Sequence, residues 1–163
     1  MYLGVTVRAA IRDSDLLYER AFEEHWRPVF RFLLAWTNDY GAAEDLTQDT
    51  FIRLWQNRDR VDWNDSILPW LLVAGRRLAT DRFRALSRRV LHAPRAPQMD
   101  ESLRARWLDV HAAMGRLSKV ERTAIVLTAF EGVSTAEAAE LLGTTPGAIR
   151  AAVSRAREKL EKA

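Results

Sequence analysis

Cysteine is absent from this 163-residue chain, which removes disulfides, thiolate zinc sites and thiol redox chemistry together. Long apolar runs are absent as well. The longest, such as Trp70 to Ala74, end at Arg76, far short of the roughly 20 residues that a membrane-spanning helix requires. Residues Met1 to Ile11 have neither a sustained apolar core nor a small-residue cleavage site, so no secretion signal is read and a cytoplasmic protein is expected. Strict alternation of apolar and polar residues is almost missing, which argues against strands. Histidine is limited to His25, His92 and His111. They are scattered, without metal-ligand spacing, and no nucleophile or Gly-rich phosphate loop accompanies them. Neither an enzyme, a metal site nor a cofactor is expected.

What is present is charge, unevenly placed. The formal net charge is only +3. Residues 39–59 nevertheless carry Asp39, Glu44, Asp45, Asp49 and Asp59 against Arg53 and Arg58, a net of −3. Residues 76–95 set seven arginines against Asp81, a net of +6, and residues 145–163 carry a net of +3. Two basic patches and one acidic helix suggest two nucleic-acid contacts and one protein contact. Of the 25 basic residues 22 are arginine, whose planar fork suits phosphate and guanine, although a GC-rich genome gives the same bias.

Helical periodicity runs almost throughout. Ser14 or Asp15 can cap a first helix, which Pro28 should bend or split. Asn38-Asp39-Tyr40-Gly41 reads as a turn, and a second helix is expected over about 42–57, with Ala43, Leu46, Thr50 and Leu54 on one stripe. After the loop around Trp63, a third helix is expected over about 67–87, with Pro69 tolerable in its first turn. The stretch 90–102, with Pro94 and Pro97, reads as a linker. Helices return over about 103–114 and 119–131. Ser134 to Glu137 has the pattern of a capping box. The short helix behind it ends at Gly143, and Thr145 with Pro146 opens a last helix to about Glu161. The expected fold is all-α: two small helical domains joined by a flexible linker, the C-terminal one containing a helix-turn-helix. The expected boundaries are an extension over 1–13, domains over 14–89 and 103–163, and the linker over 90–102.

A short helix, a glycine turn and a second helix with a basic outer face match the helix-turn-helix pattern. Ala139, Leu142, Ile149, Val153, Ala156 and Leu160 should point inward. Arg150, Ala151, Ser154, Arg155 and Arg157 remain outside. A recognition helix offers its N-terminal part to base edges and its flanks to phosphates. Arg150 is therefore the first candidate for base readout, with Arg155 and Arg157 for phosphates. The competing reading is a solvated arginine face on a small bundle.

The segment Ala43-Glu44-Asp45-Leu46-Thr47-Gln48-Asp49-Thr50-Phe51-Ile52-Arg53-Leu54-Trp55 resembles the second conserved region of bacterial sigma factors. The resemblance extends through Trp70-Leu71 and Asp81-Arg82 with Arg84. It continues through Glu121-Arg122, Glu131-Gly132, Glu137-Ala138-Ala139, Leu142-Gly143, Gly147 and Arg155-Ala156-Arg157. With only these two modules visible, the chain is similar to the extracytoplasmic-function (ECF) group. The resemblance implies core RNA polymerase and promoter DNA as partners, with an anti-sigma factor as a further candidate. Asp45, Gln48, Asp49 and Ile52 would meet the clamp coiled coil of the large polymerase subunit. Trp63, Arg76, Arg77, Arg82 and Arg84 would meet the −10 element, and Thr145, Arg150, Ala151, Ser154, Arg155 and Arg157 the −35 element. Trp63 and Trp70 could stack on unpaired bases or pack in the core, the latter favoured for Trp70. The chain departs from the family where Gly75-Arg76-Arg77 replaces the common Ala-Arg-Asn, and where Ala152 takes an often basic position. A stand-alone helix-turn-helix regulator is the alternative function.

Overall fold

The computed structural model describes residues 3–86, 97, 98 and 100–162. Most of the expected linker, residues 90–96 and 99, lies outside them, as does His92. The first helix, α1 (Leu3–Thr37), contains Pro28 and starts well before the expected cap at Ser14. Ser14 instead lies within the helix, buried, with its hydroxyl donating to Asp59 at 3.4 Å. Pro28 does not split the helix. A proline removes one main-chain hydrogen bond, but Val29, Phe32 and Leu33 beyond it are fully buried and hold the helix on course.

Asn38 adopts φ 55°, and Asp39 caps α2 (Tyr40–Asn57) by accepting the Ala42 amide at 2.7 Å. The helix thus begins inside the expected turn. Its buried stripe comprises Ala43, Leu46, Thr47, Thr50, Phe51 and Leu54. Thr47 and Thr50 stay satisfied there because their hydroxyls donate to Ala43 O at 2.6 Å and Leu46 O at 2.7 Å. In α3 (Ile67–Leu86), Gly75 passes so close to its neighbours that an added Cβ would stand 3.2 Å from Thr50 Oγ1 and 3.4 Å from Leu33. An alanine at this position of the Gly75-Arg76-Arg77 departure would require the Thr50 or Leu33 side chain to give by a few tenths of an ångström.

Asp100 caps α4 (Glu101–Gly115), which starts two positions before the expected start at Leu103. Then α5 (Lys119–Ile125) opens on a reciprocal capping box between Ser118 and Glu121, and a π-helical turn, Val126–Phe130, continues it. The expected plain helix to Glu131 does not account for this turn. Ser134 and Glu137 form the second capping box, ahead of α6 (Thr135–Leu142), and Gly143 turns the chain at φ 67°. Thr145 caps α7 (Pro146–Glu161), with Pro146 in its first turn. These ends fall where the side chains that satisfy free amides, and the residue that tolerates positive φ, stand in the sequence.

The two modules are docked. A single buried cluster runs from Val29, Phe32, Leu33 and Leu71 to Ala124, Leu127, Ala138 and Ile149. Polar contacts edge this seam: Arg122 Nε donates to Ala35 O at 2.9 Å, Lys119 lies 4.2 Å over the Trp36 ring, and Arg31 holds Glu131 with two hydrogen bonds, one at 3.0 Å. Desolvation lowers the Arg122 pKa, whereas the Glu131 hydrogen bond raises that of Arg31.

Candidate nucleic-acid and polymerase interfaces

Helix α2 shows two faces. Opposite the buried stripe, Gln48 and Asp49 are exposed and Ile52 is 52% exposed, forming an acidic strip around one apolar side chain. Asp45 stands beside them but accepts a hydrogen bond from Arg82 of α3 at 3.1 Å. Sequence reasoning missed this pairing, which joins residues assigned to different partners, because helical periodicity says nothing of contacts 37 residues apart.

The arginines of α3 differ in setting. Arg77 is exposed. Arg76 is half-buried, and its Nε is buried without a hydrogen-bond partner among the described residues. It lines a recess shared with Glu131, Glu137 and Glu140 of the other module. Arg84 is exposed near the end of the helix. Trp63 packs partly against the core and donates its indole N–H to Arg58 O at 2.8 Å. That bond fixes the loop before α3 and leaves part of the ring open. Trp70 also packs against the core, as favoured from its apolar surroundings.

In the helix-turn-helix, Ala139, Ile149 and Ala156 are buried, while Leu142, Val153 and Leu160 are partly so. Ala152 is also fully buried. The position that is often basic in the family is thus occupied here by a small side chain packed in the core. Arg150, Ala151, Ser154, Arg155 and Arg157 are all exposed. Thr145 accepts the Ala148 amide at 3.2 Å, so its oxygen serves the helix cap.

Sequence reasoning did not find Glu121. Its carboxylate is almost entirely buried and accepts hydrogen bonds from Lys159 Nζ at 2.8 and 3.0 Å, from Arg155 Nε at 3.3 Å and from the Ser118 amide at 2.8 Å. The Lys159 hydrogen bond, and after it that of the Ser118 amide, lower its pKa from 4.5 to about 2. The Ser118–Glu121 spacing carried the capping-box signal, but nothing local disclosed the partners on α7.

Residues 21–89 match the family model for sigma-70 region 2, and residues 107–160 match that for sigma-70 region 4. The ECF RNA polymerase sigma factor SigC of Mycobacterium tuberculosis is 34% identical over 163 residues, covering 93% of this chain and 85% of that protein. CarQ of Myxococcus xanthus, an RNA polymerase sigma factor, is 33% identical over 155 residues, covering 89% and 87%. In fold, the chain is similar to the sigma factor RpoE of Bartonella quintana, solved in complex with the anti-sigma factor NepR. The TM-score is 0.68 at 24% identity, over 89% of this chain and 94% of that one. The chain belongs to the sigma-70 family of RNA polymerase sigma factors, in the ECF group. It is a transcription initiation factor that directs promoter-specific initiation, and not an enzyme.

Proposed function

We propose that initiation is divided among three surfaces of this chain. Gln48, Asp49 and Ile52, with Asp45 at their border, dock on the clamp coiled coil of core RNA polymerase. The −10 element meets α3 and the loop before it, through Arg76, Arg77, Arg82, Arg84 and the open part of Trp63. The −35 element meets α7, where Arg150 reads a base edge and Ala151, Ser154 and Arg157 lie against the duplex, with Thr145 at the helix start. Arg155 belongs to this surface by position, although Glu121 holds it. In domain terms, residues 14–89 carry the polymerase and −10 functions, 90–102 the connection, and 103–163 the −35 function. The observation that carries this division is the segregation of charge among exposed faces: acidic on α2, basic on α3 and basic on α7.

Melting requires no covalent chemistry, only greater affinity for the opened strand than for the closed duplex. Base–aromatic stacking at Trp63 would contribute about 1–3 kcal/mol per base. Core polymerase and the chromosome place this work in the cytoplasm. No helix among the described residues is long and apolar enough to cross a membrane. Leu103, Leu108 and Val110 are left exposed on α4, which supports an additional protein partner. An anti-sigma factor, such as the one solved with the Bartonella relative, would suit that role.

Run-off transcription with purified core polymerase and genomic promoter fragments tests the proposal. Specific transcripts should require the chain and disappear with Asp49→Arg. Tight, sequence-specific duplex binding without polymerase, and no transcripts with it, would favour a stand-alone regulator.

A further inference from the structure

Helix α7 and the residue that follows it carry five bases, Arg150, Arg155, Arg157 and Lys159 within the helix and Lys162 at its C-terminal cap, and counted by sequence all five could face phosphate. The structure divides them. Lys162 pairs with Glu158 at 2.7 Å. Lys159 and Arg155 both point to Glu121, whose side chain is only 5% exposed. Only Arg150 and Arg157 form no ion pair among the described residues.

Glu121 is well built to hold those two cations. It cannot swing away easily, because Ser118 and Glu121 cap α5 reciprocally, through Ser118 N to Oε2 at 2.8 Å and Glu121 N to Ser118 Oγ at 3.3 Å. A fixed carboxylate with little access to water competes effectively with a mobile, solvated phosphate for the same donors. Its two partners lie one helical turn apart on the shoulder of α7 that faces α5. The same contacts therefore fix how far α7 is rotated about its axis, and so which side chains reach the groove.

We propose that Glu121 is a specificity-determining positioning residue for −35 recognition: it withdraws Arg155 and Lys159 from the DNA backbone and seats α7 so that Arg150 and Arg157 make its cationic contacts. This rests on α7 being the DNA-reading helix. Phosphate contacts strengthen binding to every sequence alike, whereas base contacts discriminate. Withdrawing two cations lowers affinity for random DNA and leaves discrimination to Arg150.

The test is titration of the full chain against a mixed-sequence 30-bp duplex at several salt concentrations. Each cation that reaches a phosphate steepens the slope of log K against log salt by about 0.9. Between 50 and 200 mM salt that is a further loss of about 3.5-fold per contact. Glu121→Gln, checked for native helicity, should tighten binding to this duplex and steepen the slope by about one to two contacts. Lys159→Met in the otherwise unchanged chain should leave the slope as it was, and in the Glu121→Gln background should reverse part of the gain. Should Glu121→Gln misfold, the single Lys159→Met and Arg155→Gln variants still decide. A slope that falls by about 0.9 in either would mean that the cation was already on the DNA, and would overturn the proposal. An unaltered slope in folded Glu121→Gln would overturn it as well. Arg150→Ala separates the two levels: if it lowers the slope while Glu121→Gln does nothing, α7 binds DNA and only the role of Glu121 fails. If no variant changes the slope, α7 is not the DNA-reading helix and both readings fall.

Discussion

Replacing Arg31 by alanine should loosen the two modules. Arg31 and Glu131 share two hydrogen bonds across the seam, with the Glu131 side chain 3% exposed and that of Arg31 44% exposed. Removing one partner of a fully buried ion pair costs about 3–5 kcal/mol, whereas an exposed pair contributes about 0–1 kcal/mol. Here one partner is buried and the other is half open to water, so a cost of about 2 kcal/mol is expected for leaving Glu131 unpaired. That would shift a docked–undocked equilibrium about thirtyfold. A double-mutant cycle with Glu131→Gln, read by thermal unfolding, isolates the pair energy. Small-angle scattering reads the opening, since a compact chain of this length has a radius of gyration of about 15 Å and separated modules a larger one. Coupling below about 0.5 kcal/mol, together with unchanged compactness, would refute the claim that this pair secures the seam.

Three further outcomes are expected. Gln48→Ala with Asp49→Arg should weaken binding to core polymerase without loss of helicity, and unchanged affinity in a titration would count against the α2 contact. Arg150→Ala should relax preference at one position of the −35 element by about 1–3 kcal/mol, read by competition among single-base promoter variants. The Glu121 carboxyl has its pKa lowered from 4.5 to about 2. Its contribution to stability is therefore complete above pH 4.5 and lost as pH falls through about 2. Wild-type helicity should decline more steeply over that interval than that of Glu121→Gln, and parallel acid titrations would contradict the assignment.

Helix ends were the most legible part of the sequence wherever a side chain marked them. Ser134, Gly143, Thr145 and Pro146 each satisfy or spare a terminal backbone group, and each is found at its expected place. Ser14 misled because a serine signals a cap only where the helix has reason to start, and no breaker lies between Gly4 and Pro28. The π-helical turn after Ile125 left no readable mark, since one additional residue in a turn scarcely alters an apolar pattern. The exposed faces of α2 and α7 followed from periodicity. The Asp45–Arg82 pair, the hold of Glu121 on α7 and the docking seam all join residues distant in sequence, and depend on packing that periodicity does not contain.

The ring of Trp36 beneath Lys119, and the Trp107 ring stacked on His111 and edge-on to Tyr40, all border the seam between the modules. The chain thus contains its own optical reporter. Separation of the modules would remove the ammonium from the Trp36 face and expose an indole whose N–H is now buried without a partner among the described residues. Water would then reach that N–H and shift its emission to the red. Fluorescence of the unlabelled protein could therefore follow opening in real time as polymerase or promoter is added, with Trp36→Phe identifying the share of the signal that comes from the seam.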